Sequence, residues 1–189
     1  MNYRNVIIFV LFNLFIGMSF AAMKPIVCDQ QYALCTSAPC VPDPRNPEYS
    51  ICSCVVENGD SVGYKTCKQR APKKGVFKVE QITSTFSFKQ FETKKSMNCP
   101  QGKPWANCLD APCTVDPLDL TKAICSCKLN RAHAFFTFGG DCDVNTCATG
   151  FWSGATVTMD NNLRLALFAK LNIIQNPWPN STCPINNKK

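Results

Sequence analysis

The sequence predicts a small, disulfide-rich, β-dominated protein built as a tandem duplication of a six-cysteine module, with a C-terminal helix in the second copy. Three observations predict it: an export-type N-terminus, a dense and even set of cysteines, and an internal repeat at fixed spacing.

The N-terminus sets the compartment. Met1-Asn2-Tyr3-Arg4-Asn5 is followed by an apolar run from Val6 to Phe20, broken only by Asn13, Gly17 and Ser19. A short positive start, an apolar centre and a small-residue exit are the parts of a secretory signal peptide. Ser19-Phe20-Ala21 suits a peptidase, so residues 1–21 are expected to be removed and the chain to be secreted or periplasmic. The competing reading is an uncleaved anchor, because Val6–Met23 is 18 residues long, against the roughly 17–25 that span a bilayer. Asn13 weakens that span, and no later apolar stretch reads as a transmembrane helix.

All fourteen cysteines lie beyond the signal segment. Thiols exported to an oxidising compartment pair, so an even count behind a signal peptide reads as a disulfide framework. Cys35, Cys40, Cys52 and Cys54 each recur 73 residues later as Cys108, Cys113, Cys125 and Cys127. Between 32–54 and 105–127, 11 of 23 positions are identical without a gap, including Ala38-Pro39-Cys40, Asp43-Pro44 and Ile51-Cys52-Ser53-Cys54. Cys28 corresponds to Cys99 and Cys67 to Cys147, with extra residues between Cys127 and Cys147. Each copy therefore has six cysteines: 28, 35, 40, 52, 54 and 67, then 99, 108, 113, 125, 127 and 147. Cys142 and Cys183 remain and are expected to bond to each other. Fifteen pairings are open within each copy, and spacing does not choose among them. The expected division is a first module at 22–70, a basic linker or strand segment at 71–98, and a second module with its C-terminal extension at 99–189.

Period and punctuation predict local structure. Tyr49–Glu57 and Ser61–Cys67 read as a hairpin turning at Asn58-Gly59, and Thr121–Leu129 with Ala132–Phe138 as its counterpart. Side chains alternate along a strand, so Cys52, Cys54 and Val56 share one face, as do Cys125, Cys127 and Leu129. Pro39, Pro42, Pro44 and Pro47 predict an extended loop between Cys40 and Cys52. Asp160–Leu171 reads as a helix capped by Asp160, with a strand as the competing reading because Leu163, Leu165, Leu167 and Leu171 alternate.

Charge is concentrated. Residues 65–95 carry nine basic side chains against Glu80 and Glu92, whereas the chain as a whole is +7. Such a stretch is either a site for an anionic surface or a solvated tether. It lacks the interleaved aromatics of a single-strand binder, and an exported protein seldom meets nucleic acid, so nucleic acid is not an expected partner.

No catalytic, cofactor or metal site is expected. His133 is the one histidine, which excludes sites built on two imidazoles. It reads as an ordinary strand residue. No G-x-S-x-G surrounds a serine, and the cysteines are accounted for by pairing. Thiolate metal ligation through C-x-C is disfavoured by export. Asp141-x-Asp143-x-Asn145 begins like a calcium loop but has Thr146 and Trp152 where glycine and glutamate are needed. Asp43 and Asp116 each precede a proline and read as turn starters rather than paired hydrolytic carboxylates. Asn180-Ser181-Thr182 is a glycosylation sequon.

The functional expectation is thus a non-enzymatic, disulfide-stabilised binding protein whose partner is a protein or an anionic surface. The inter-cysteine loops at 41–49 and 114–122 are the candidate interaction segments, with Arg45, Tyr49, Leu118 and Lys122 as their candidate contacts. A double-headed protease inhibitor or secreted effector working through those loops is the second reading. A carboxylate-dependent hydrolase is the third.

Overall fold

The computed structural model describes residues 24–35, 38–91, 95–139, 147 and 151–174. The signal segment, the Cys142–Cys183 pair, the Asp141–Asn145 stretch and the sequon lie outside the described residues.

Strands dominate. The first copy supplies β1 (Ile26–Leu34), β2 (Pro39–Pro42), β3 (Tyr49–Gly63) and a short helix α1 (Cys67–Arg70). The segment that follows, counted with the first copy as far as β5, holds β4 (Lys73–Lys74) and β5 (Glu80–Thr85), and β6 (Met97–Cys99) leads into the second copy. The second copy continues with β7 (Trp105–Asn107), β8 (Pro112–Val115), β9 (Lys122–Asn130), β10 (Phe135–Thr137), β11 (Phe151–Trp152) and helix α2 (Val157–Leu171).

The C-x-C strands lie side by side at the centre. β3 and β9 are antiparallel from Tyr49↔Lys128 to Val55↔Lys122, with Cys52 opposite Cys125. Shifting every residue by the 73-residue repeat maps this ladder onto itself, so a pseudo-two-fold axis passes at Cys52 and Cys125. The flanking ladders obey the same operation. Cys40↔Cys52 and Val41↔Ile51 in β2–β3 recur as Cys113↔Cys125 and Thr114↔Ile124 in β8–β9.

The two copies also exchange strands. β5 runs parallel to β1 of its own copy (Ala33↔Ser84) and antiparallel to β8 of the other (Ile82↔Cys113). β11 pairs antiparallel with β2 of the first copy (Phe151↔Cys40), and the next residue, Ser153, bridges in parallel to Ala106 of β7. Each copy thus places a strand between its own first strand and the other copy's second.

Alternation explains the core. Ser50, Cys52 and Cys54 of β3 and Ala123, Cys125 and Cys127 of β9 are buried, while Ser53 and Val55, with Lys122, Ile124 and Ser126, are exposed. The buried cysteines pack with Ala33, Ile82, Ala106 and Val115, and Val56 lies against them. A second cluster joins Val62, Phe86 and Ala155 to Leu163 and Leu167 of α2. A third gathers Met97, Cys99, Trp105, Phe135 and Cys147.

Both predicted hairpins are corrected. Asn58-Gly59 does not turn the chain; β3 runs through it, pairing with β1 from Leu34↔Val55 to Ile26↔Gly63. β1 offers nine consecutive partners, more ladder hydrogen bonds than a local hairpin would supply, and Gly59 adopts φ +115° within the strand. The predicted returning strand instead ends at Gly63. Thr66 then caps α1, with its hydroxyl accepting from Gln69 N while Gln69 Oε1 accepts from Thr66 N (2.9 Å). In the second copy, Asn130 Oδ1 accepts from Ala132 N and turns the chain away from β9. β10 therefore pairs with β6 (Phe135↔Cys99), not with β9. His133 falls in the exposed bend between them rather than on a strand.

The C-terminal helix is present, but its cap moves. Thr156 caps it, its hydroxyl accepting from Met159 N (3.2 Å), and Asp160 lies inside the first turn. There burial pushes the Asp160 carboxyl up to about 6, against the pull of Arg164 at 3.9 Å. The folded protein holds this proton more tightly than the unfolded chain, whose aspartate has its ordinary value near 4. Stability from this group is therefore highest below about pH 4 and falls as pH rises toward 6. Asp160→Asn is expected to stabilise by about 1 kcal/mol at neutral pH, after discounting for residual solvent screening. It should change little at pH 4, and a thermal-melt series across pH reads both values.

Arg70, the last residue of α1, is fully buried. Its guanidinium donates to Ile26 O (2.7 Å) and contacts Cys28 Sγ; burial pushes its pKa down while Asp110 pulls it up. Asp110 adopts φ 57°, and its Oδ2 accepts from Tyr64 N (2.7 Å) and Lys65 N (3.2 Å). The missing side chain of Gly63 makes room for this: a Cβ there would collide with the Asp110 carboxylate and lie 3.3 Å from the Arg70 guanidinium. Gly63→Ala is expected to cost about 1–3 kcal/mol by overpacking, measured by chemical denaturation.

Candidate interaction surface

The disulfides are nested identically in both copies. Cys40–Cys52 and Cys113–Cys125 are innermost, Cys35–Cys54 and Cys108–Cys127 next, and Cys28–Cys67 and Cys99–Cys147 outermost. Among the described residues no cysteine is free. The two inner pairs of each copy meet at the pseudo-two-fold axis, where Cys35 Sγ lies 3.2 Å from Cys125 Sγ and Cys108 Sγ 3.6 Å from Cys52 Sγ. These sulfurs are close enough together to suggest ligation, but a sulfur in a disulfide has no thiolate charge to give a metal.

The innermost disulfides close the two inter-cysteine loops. The segment read as extended is a true hairpin, β2 to β3, because two successive side-chain-capped turns fold it back. Asp43 Oδ1 accepts from Arg45 N (2.9 Å) and Asn46 Oδ1 from Glu48 N (3.1 Å). In the other copy Asp116 Oδ1 accepts from Leu118 N (2.9 Å) and Asp119 Oδ1 from Thr121 N (3.1 Å). The backbone follows suit, with Asp43 N donating to Tyr49 O (3.0 Å) and Asp116 N to Lys122 O (2.9 Å). Aspartate and asparagine make such turns because a short side-chain carbonyl reaches the amide two residues on.

Each loop is also tied to the other copy. Leu129 N donates to Glu48 O and Val56 N to Thr121 O, both at 2.8 Å. The loops are therefore held from three sides: by a disulfide, by their own turns, and by the neighbouring copy's strand. Asp43 and Asp116 are spent on turns at opposite ends of the β3–β9 ladder. Six strand steps separate those ends, roughly 20 Å at the usual rise. The two carboxylates are not brought together.

The candidate contacts differ in what they present. The Arg45 side chain is 87% exposed and lies 3.7 Å from Asp43 Oδ1. Leu118 is 95% exposed at the tip of the other loop. Tyr49 is half-buried where its loop enters β3. Lys122 is exposed but drawn back to Asp119 at 2.9 Å. Hydrogen bonds from Thr121 and Lys122 hold the Asp119 carboxyl down to about 2, and the same pairing raises the lysine.

Between the loops runs the outer face of the sheet. Val41, Val55 and Ile124 are exposed there, and a shallow depression of about 320 Å³ is lined by Arg45, Ile51, Gln81, Thr114, Ile124 and Ser126, among others. Apart from Arg45, and Val41 and Thr114 at the loop ends, these residues were not among the sequence-predicted contacts or segments. The alternation that sends Cys52 and Cys54 inward sends Ile51, Ser53 and Val55 outward, so the signal was available.

Comparison with protein-family models, with curated proteins and with solved structures finds no match. The fold defines a disulfide-rich β-structure of a kind compatible with a stabilised extracellular binding protein. Its disulfides are consistent with an oxidising compartment, and among the described residues no helix is long and apolar enough to cross a membrane.

Proposed function

We propose that this chain is an exported, non-enzymatic binding protein that engages a protein partner through the 41–49 and 114–122 loops and the sheet face joining them. The observation that carries this reading is the rigidity of the two loops together with what they expose. A loop already ordered by a disulfide, turns and a neighbouring strand has little freedom left to lose on binding, so contacts made by Arg45 and Leu118 translate more fully into affinity. Val41, Ile51, Val55 and Ile124 add apolar surface suited to the centre of an interface. Export through the predicted signal peptide places the partner in the periplasm or outside the cell.

Site-specific photo-crosslinking tests the reading. A benzophenone side chain at position 118, and separately at 45, in the exported protein is expected to trap one and the same partner protein. The same probe at Ile174, an exposed position beyond α2, is expected not to trap it. Crosslinks at 174 with none at 45 and 118 would contradict the proposal.

A second reading draws on the loop placement. Loops at opposite ends of one ladder, with an arginine at one tip and a leucine at the other, suit a two-headed protease inhibitor. Arg45 would then engage a trypsin-like protease and Leu118 a chymotrypsin-like one. Inhibition of both, with Arg45→Ala and Leu118→Ala each abolishing one, is the expected outcome of that reading. Full protease activity at micromolar protein rejects it.

A further inference from the structure

The segment Lys65–Val79 contains six basic residues and no acidic one. Arg70 is buried, whereas Lys65, Lys68, Lys73, Lys74 and Lys78 are exposed. Here β4 and β5 form a hairpin in which Lys73 faces Gln81 and Lys74 faces the half-buried Glu80. At its tip Val76 is 75% and Phe77 93% exposed. Phe77 (φ 60°, ψ 21°) and Lys78 (φ 60°) are both left-handed, the backbone of a type I′ turn, in which Asn-Gly is the favoured pair. A phenylalanine held in that conformation costs stability, and at this position it recovers none by burial.

We propose that this tip is a docking finger for an anionic lipid bilayer: Val76 and Phe77 enter the interface while Lys73, Lys74 and Lys78 meet the head groups. Shape favours a bilayer over a protein. A two-residue convex tip offers far less than the roughly 800 Å² per partner that a stable protein interface buries. A bilayer accepts any convex apolar shape and needs no complementary pocket.

Charge agrees with shape, because lysines close to apolar tip residues can extend along the interface and keep their ammonium groups among anionic head groups. The backbone is prepared as well. Gly75 N donates to Val79 O (2.8 Å), Lys78 N to Gly75 O (3.2 Å) and Val79 N to Val76 O (3.5 Å). Three amides of the tip thus carry their own partners into a region poor in water. This inference stands apart from the loop reading, since the 41–49 and 114–122 loops take no part in it.

Co-sedimentation of the mature protein with phosphatidylcholine–phosphatidylserine vesicles tests the proposal, with pure phosphatidylcholine vesicles as the neutral arm. Binding to the anionic vesicles alone is expected, weakening as salt is raised. Phe77→Asp should lower partitioning about tenfold or more, the scale of an exposed phenylalanine losing its apolar environment. Phe77→Gly is the folding control: it relieves the left-handed strain, so it should melt no lower than the parent while losing vesicle binding to a similar degree. Phe77→Trp should shift its emission to the blue and be quenched by brominated lipid. Absence of binding to the anionic vesicles overturns the proposal. So does binding unchanged in Phe77→Asp or Phe77→Gly, which would leave diffuse lysine charge as the whole cause. A Phe77→Trp emission that ignores bound vesicles overturns it too.

Discussion

Replacing Cys35 and Cys54 together by alanine is expected to destabilise the protein by about 3–5 kcal/mol. The bond closes a loop across a sequence separation of 19, and losing that constraint on the unfolded chain costs about 3 kcal/mol. Both sulfurs are buried in the central cluster, so their loss also leaves unfilled volume. Guanidinium denaturation of the double variant reads the loss. The equivalent change at Cys108 and Cys127 should cost a similar amount, because the bond there spans the same separation.

The single variant Cys54→Ala should behave differently. It leaves Cys35 with a free thiol 3.2 Å from Cys125 Sγ, within reach of the Cys113–Cys125 bond. Thiolate attack on that bond would join the two copies covalently, with Cys113 as the leaving thiol. Non-reducing peptide mapping of Cys54→Ala is therefore expected to find Cys35 joined to Cys125 in part of the sample, and none in the double variant.

Trp105→Ala is expected to have the second large effect, about 3–5 kcal/mol. The indole is fully buried and stacks on Phe135 with ring centroids 5.5 Å apart, in the cluster that also holds Cys99 and Cys147. Its Nε1 has no partner among the described residues, so Trp105→Phe gives up no hydrogen bond and should cost no more than about half as much. Tyr32 stands at the same place in the first copy and is equally buried, but its hydroxyl hydrogen-bonds Ser87 Oγ at 2.7 Å. The corresponding Tyr32→Phe change therefore carries a hydrogen-bond penalty that Trp105→Phe lacks.

The sequence made the β-dominated, disulfide-rich class legible because cysteine density, C-x-C alternation and the 73-residue repeat are all local or evenly spaced signals. It also marked Asp43 and Asp116 as turn formers and placed the C-terminal helix nearly where it lies. What it hid was pairing over long range. Asn58-Gly59 is a strong hairpin signal, yet nine residues of β1 outbid it, and no local pattern around 58–59 announces that competitor. Likewise β10 abandons β9 for β6, a choice made by Phe135 and Met97 in a cluster far apart in sequence. The exchange of β5 and β11 between copies was beyond reach for the same reason, since Ile82 meets Cys113 only once both copies are folded. Arg70 gave no sign of its burial, nor Asp110 of its place beside it, as both are set by Gly63 and the turn at 64–65. The turn chemistry that exposes Arg45 and Leu118 was legible, whereas the outward-facing Val55 and Ile124 of the sheet face between those loops went unread.

The central claim is that two copies with the same nested disulfides form one body around the Cys52–Cys125 pair. Partial reduction, alkylation and fragmentation mass spectrometry of the unreduced protein tests it most directly. Only Ser53 separates Cys52 from Cys54, so proteolysis alone leaves their bonds entangled, whereas stepwise reduction resolves them. The expected result is Cys40–Cys52, Cys35–Cys54 and Cys28–Cys67 in one copy, with Cys113–Cys125, Cys108–Cys127 and Cys99–Cys147 in the other. A bond joining the copies in the native protein, such as Cys35–Cys125, or any order within a copy other than nested, would contradict the account.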